Sequence, residues 1–261
     1  MYRLGSCNKV VILSHGEVRS ILKRFFSCAL SAWIGIGLAS AEPSKPPIPE
    51  EEMVSKFLEA NQHQQTALRG GTMEVDIDAS VPKLKKQGKL HALKNVSKLG
   101  KITYHALSFI GENMVKTEVI ARYLTEEVKA AQDGANTAMA ITPENYKFKY
   151  KGTETLDGRD VYVMHVTPKH KKVGLFKGEL WLDAQTGMPV RESGSFVKSP
   201  SIFLKKMQFV QMFEMQNGVS MPQRLESKVE VRFFGPVELN VNYLKFSKED
   251  ADAVTASSDQ P

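Results

Sequence analysis

Alternation of apolar and polar residues, broken at intervals by short turns, constrains this chain more than any other feature of its sequence. From Thr72, the residues Met73, Val75, Ile77 and Ala79 share one parity while Thr72, Glu74, Asp76 and Asp78 share the other. A period of two marks a strand with one buried face. Less regular strands are expected at Gly88–Lys94 and Lys101–Ile110, the second buried on both faces because Tyr104 and Phe109 have opposite parity.

After Pro143 the pattern becomes a meander. Tyr146, Phe148 and Tyr150 alternate with Lys147, Lys149 and Lys151; the turn Asp157-Gly158 leads into Val161–Thr167; Lys177–Asp183 ends in the turn Ala184-Gln185-Thr186-Gly187. Pro189–Lys198 and Leu204–Gln216 follow, then the turn Asn217-Gly218. Leu225, Val229, Val231 and Phe233 alternate with charged residues, and a Gly235-Pro236 turn precedes Val237, Leu239, Val241 and Tyr243. Nine or ten strands joined by tight turns favour an antiparallel sheet over βαβ units. One face should be apolar and the other charged.

Two segments keep helical spacing instead. Glu50, Glu51 and Glu52 open the first, where acidic side chains suit the helix dipole, and Met53, Val54, Phe57 and Leu58 form its stripe. In the second, Glu112–Gln132, the stripe runs through Val115, Val119, Ile120, Tyr123, Leu124, Val128 and Ala131. It reads either as a helix packed on the sheet or as a lid, with Val119, Tyr123 and Leu124 facing what it covers.

The N-terminus has the three parts of a secretory signal: Lys23-Arg24, the apolar run 25–38 and the small residues Ala39-Ser40-Ala41. Its apolar run is shorter than the roughly 20 residues that span a bilayer. Cleavage is expected before Glu42. Residues 1–18 are unlike a standard n-region and read as an over-extended start. A Pro-rich leader at 42–49, a single domain at 50–248 and a flexible tail at 249–261 complete the expected organisation.

Export changes the charge argument. The chain holds 35 basic and 29 acidic residues, yet five of the basic and only one of the acidic fall within 1–41, so residues 42–261 carry a formal +2. That is a weak electrostatic basis for nucleic-acid binding. Cys7 and Cys28 also lie in the removed segment, which excludes disulfides, thiolate metal sites and cysteine nucleophiles from the remainder.

Catalytic motifs are missing: there is no Gly-x-Ser-x-Gly elbow, phosphate loop or His-Glu-x-x-His. His63, His91, His105, His165 and His170 show no ligand spacing, so no metal and no cofactor is expected. Glu179 and Asp183, about 13 Å apart along a strand, are too distant for paired acid–base work and read as a solvated face. The cationic run Lys169-His170-Lys171-Lys172, joined by Lys205-Lys206, reads as a solvated turn or as an attraction to anionic headgroups.

The stretch Leu156-Asp157-Gly158-Arg159-Asp160-Val161-Tyr162-Val163, then Val166-Thr167-Pro168-Lys169, then Gly178 to Arg191 with its Trp181-Leu182-Asp183 strand and Thr186-Gly187 turn, resembles periplasmic outer-membrane lipoprotein-sorting proteins of the LolA/LolB/RseB-like superfamily. The resemblance implies a mainly β fold with α: a curved antiparallel sheet, a half-open β-barrel, with helices against its concave side. It also implies a periplasmic, non-enzymatic carrier or chaperone for the acyl chain of a lipoprotein or lipid, with inner- or outer-membrane protein partners. The alternative is a lipid- or lipoprotein-sensing regulator that binds a partner protein. Alternation selects Phe148, Leu180, Leu182, Phe209, Phe213, Val229, Val231, Leu239 and Val241 as the cavity lining, although core packing alone would explain each of them and is the stronger reading for any single one.

Overall fold

The computed structural model describes residues 47–132, 138–200, 202 and 204–248. The signal segment 1–41, most of the leader and the tail 249–261 lie outside the described residues. A first helix, α1 (Glu50–Leu68), precedes strands β1 (Gly71–Val81), β2 (Lys86–Val96) and β3 (Ile102–Gly111). A second helix, α2 (113–132), begins as α-helix at Asn113–Val115, passes through a π-helical turn at Lys116–Ile120 and continues as α-helix over Ala121–Gln132. Seven strands complete the chain: β4 (Tyr146–Leu156), β5 (Arg159–Pro168), β6 (Phe176–Asp183), β7 (Pro189–Phe196), β8 (Leu204–Gln216), β9 (Val219–Val231) and β10 (Gly235–Lys248).

All ten strands join one antiparallel sheet in the order β3-β2-β1-β10-β9-β8-β7-β6-β5-β4. The sheet is not closed into a barrel: β3 and β4 remain its two edges. Every neighbour follows in sequence except one, the pairing of β1 with β10, where Ile77 meets Val241 and Ala79 meets Leu239. Strand β1 has the alternation expected of it, with Met73, Val75, Ile77, Ala79 and Val81 all buried.

Both helices lie on the same face of this sheet. Met53, Val54 and Phe57 of α1 pack on Tyr146, Tyr150, Met164, Val166, Leu180 and Leu182. Two bonds fix the ends of α1: the Tyr150 amide donates to Glu50 Oε1 at 2.9 Å, and Gln64 Nε2 donates to the Ser220 carbonyl at 2.6 Å. Val115 and Ile120 of α2 pack on Met73, Val75, Ile77, Leu90, Ala92, Leu239 and Val241. The inner face therefore carries two separate cores, one under each helix.

Three expectations need correction. Strand β3 is not buried on both faces; as an edge strand it leaves most residues, including Leu107 and Ile110, exposed to solvent. Phe233 does not extend the alternation of β9: that strand ends at Val231, and Phe233 sits in the turn before Gly235, with φ 77. The outer face is not wholly charged, since Val161, Val163, Trp181 and Val190 form a small apolar cluster there, topped by the Arg191 guanidinium 4.7 Å from the Trp181 ring.

Gly178 and Gly194 are paired across β6 and β7. A Cβ at Gly178 would fall 1.9 Å from the Ser193 carbonyl oxygen, which is backbone and has nowhere to go. Gly178→Ala should therefore cost about 1–3 kcal/mol through overpacking, measured by chemical denaturation. Gly158, with open space around its Cβ position, faces no such contact.

Candidate functional site

Between the two helix-covered cores, the inner face is crossed by β8 and β9. Register sets the rows: Gly194, Phe209, Ser227 and Leu239 stand side by side, as do Met207, Val229 and Val237. Met207, Phe209, Ser227, Val229 and Val231 are only half-buried. This apolar strip, left half-covered between two packed cores, is the candidate groove.

The residues selected from the sequence distribute across this groove and its walls. Leu180 and Leu182 are fully buried under α1, and Phe148 and Phe209 lie at the flank of that core. Leu239 and Val241 are buried in the core under α2, with Val119, Tyr123 and Leu124 packed at its margin. Val229 and Val231 lie on the open strip itself. Phe213, beyond a register shift that follows Met212, pairs with Pro222 at the far end of β8 from Val231. At the β7 side the wall is aromatic: the Phe209 ring meets Phe176 edge-on at 4.9 Å and Phe196 at 5.4 Å.

A polar cluster unforeseen in the sequence ties α2 to the sheet. Lys94 on β2 is buried and pairs with Glu127 of α2, which also accepts from the Tyr104 hydroxyl at 2.5 Å. The Lys94 ammonium lies 5.4 Å from the Tyr243 ring. Burial acts to raise the Glu127 pKa, but the Lys94 charge and hydrogen bonds from Lys94, Tyr104 and Tyr123 outweigh it and hold the carboxyl below its ordinary value. Desolvation likewise acts to lower Lys94, and Glu127 overcomes it, so the lysine is held above its ordinary value. A signal existed: Lys94 follows Leu90 and Ala92 on the buried parity, and Glu127 interrupts the stripe that runs from Tyr123 to Ala131.

The row from Leu180 to Val241 crosses the groove through Glu192, Gln211 and Leu225. Burial pushes the Glu192 carboxyl up to about 7. It is thus a neutral hydrogen-bond donor in mildly acidic solution, placed at the margin of an apolar strip.

The outer face offers different surroundings. A depression of about 700 Å³ opens there among Glu179, Arg191, Glu226 and Lys228, and a second of about 350 Å³ lies beside Asp78 and Lys89. Lys89 bridges Asp76 and Asp78 at 3.1 and 3.7 Å, which is the chemistry of a solvated surface. Among the described residues, no group of three or more His, Cys, Asp or Glu is arranged to hold a metal ion.

A family model covers part of the chain. Described as "-like: Uncharacterized protein", it matches residues 134–232, less than half of the sequence but all of the Leu156–Arg191 stretch whose resemblance was noted above. No curated protein matches. Similar solved structures include a DUF1329 family protein from Desulfovibrio piger (12% identity, 78% of this chain and 94% of that one, TM-score 0.42). A LolA superfamily protein from Nitrosomonas europaea is similar at 12% identity over 78% and 94% of the two chains, with TM-score 0.39. A chain of the Pseudomonas aeruginosa MucA/MucB complex is similar at 11% identity over 77% and 100%, with TM-score 0.27. All three TM-scores fall below 0.5.

Glu127→Gln should cost about 3–5 kcal/mol, because it leaves the Lys94 charge buried without its partner. The attachment of α2 should also titrate. A lowered carboxyl pKa stabilises above the ordinary carboxylate value and is lost as pH falls through the folded one; a raised lysine pKa stabilises below the ordinary lysine value and is lost as pH rises through the folded one. Amide protection in 121–132, taken relative to the intrinsic exchange rate at each pH, should therefore be greatest between those limits.

Glu192 has the opposite sign. Its pKa is raised from 4.5 to about 7, so the folded state holds the proton more tightly and stability falls as pH rises between those values. Glu192→Gln should flatten that part of a denaturation-versus-pH curve; an unchanged slope would count against the assignment.

Proposed function

We propose that this protein is a periplasmic, non-enzymatic carrier or chaperone that shields an acyl chain of a lipoprotein or lipid in the groove between α1 and α2. The observation that carries the reading is the half-buried strip Met207, Val229 and Val231 between two closed cores. Such a strip exposes apolar surface that a bound chain would remove from water, at about 0.8 kcal/mol per methylene. In this reading the aromatic wall at Phe209 is one side of the site. Helix α2 is the cover, with Val119, Tyr123 and Leu124 at its margin. Protonated Glu192 donates to a carbonyl at the polar end of the cargo.

A chemical contrast supports the choice of face. Ligand sites combine apolar walls with few polar groups, which describes the inner strip and not the charged depression outside. The signal-like segment 23–41 supports export, and with it a location where acylated cargo must cross water.

The test uses a fluorescent fatty-acyl probe. Val229→Asp with Val231→Asp should weaken probe binding at least about tenfold, since each places a charge against the chain, while stability falls little because both positions are half-open. Bound probe should also slow amide exchange in α2. Equal probe affinity in wild type and variant would overturn the reading.

A further inference from the structure

The loops of one rim meet through the strand register. Leu204 pairs with Val231, and Ser80 with Glu238, so the β7–β8 connection, the β9–β10 turn and the β1–β2 turn are neighbours. Lys83 Nζ in the β1–β2 turn donates to the Phe233 carbonyl at 3.1 Å and joins two of the tips directly. Here the chain exposes what a soluble protein normally hides. Phe233 is 72% exposed, Phe234 51% and Leu84 38%.

Topology does not demand these residues. Two hairpins at the opposite rim place Asp157 and Asn217 in the left-handed region, at φ 50 and 51, as short polar side chains tolerate. Phe233 occupies the same region at φ 77, where a bulky side chain is strained. An exposed aromatic side chain at a strained position adds no packing to the fold, which points to function. Its surroundings show which. Lys83, Lys85 and Arg232 are exposed beside the apolar tips, and no acidic residue occurs in 82–86 or 232–235. Lys205, Lys206 and the exposed Ile202 stand next along the rim, and Lys169-His170-Lys171-Lys172 follows.

We propose that this rim docks on a membrane surface rich in anionic phospholipid: Phe233, Phe234 and Leu84 enter the headgroup–acyl boundary while Lys83, Lys85 and Arg232 meet the phosphates. Aromatic rings favour that boundary, and basic residues beside it are drawn to anionic lipid. A protein surface would not explain the combination as well, since exposed aromatics there need a matching pocket, whereas a bilayer accepts them without one. Val231 ends β9 at the same rim.

The test is cosedimentation of the purified full chain with phosphatidylcholine vesicles, plain or containing roughly a third phosphatidylglycerol. Binding to the anionic vesicles should fall at least about tenfold in Phe233→Ser/Phe234→Ser and in Lys83→Gln/Lys85→Gln/Arg232→Gln, and should weaken in roughly 0.5 M salt. Leu99→Ser, which changes a side chain 84% exposed at the opposite rim, should have no effect. In Phe234→Trp, anionic vesicles should shift the tryptophan emission to the blue. Binding that is equal for both vesicles, or that survives the double phenylalanine substitution as it would if the apolar segment 25–38 drove it, would overturn the proposal. So would tryptophan emission that anionic vesicles leave unchanged. Acyl-probe affinity should be the same in Phe233→Ser/Phe234→Ser and wild type, which separates failure here from failure of the groove.

Discussion

The ladder between β1 and β10 is the interaction on which the remainder depends. It joins residues about as far apart in sequence as the sheet allows, and without it β1, β2 and β3 would form a separate hairpin set with no partner. The core under α2 draws on both sides of this ladder: Met73, Val75 and Ile77 from β1, Leu239 and Val241 from β10. Isolated small sheets are marginal in water. The long-range pairing thus sets where α2 can sit, and with it one wall of the groove.

Because the two helices each seal their own core, the strip between them is defined by what neither covers. Its apolar residues come from β8 and β9, and its polar boundary from Glu192 and Gln211 in the row below. The buried Lys94–Glu127 pair adds a directional constraint on α2. A charge pair removed from water is worth little in net stability but strongly penalises any arrangement that separates its members. Helix α2 can therefore move only where both partners find water or a substitute, which fixes the position of its C-terminal half more than it adds to its stability.

Much of this was legible from residue order. The period of two in β1, the turns Asp157-Gly158 and Asn217-Gly218, and the helical stripe that begins at Val115 all specify local structure by local chemistry. Other features were not legible because they arise from pairing. Strand β3 has the composition of a buried strand, and only its place at the sheet edge exposes it. The register shift at Met212 and Phe213 breaks a parity that the sequence continues without interruption. Lys94 and Glu127 each look like misplaced surface residues until the fold brings them together. Val229 and Val231 were marked by alternation, but alternation treats them like Leu239, and only the helices decide which positions close.

The two edges of the sheet are guarded unequally. Strand β4 carries Lys147, Lys149 and Lys151 along its length, and rows of lysine repel a second strand that would pair there. Strand β3 has no such row; His105 is its only side chain that can carry positive charge. Strand-to-strand growth between copies of this protein would therefore have one usable end rather than two. Edge-to-edge pairing through a single usable strand would stop at two copies, so the lysines of β4 act against the open sheet extending into a fibre.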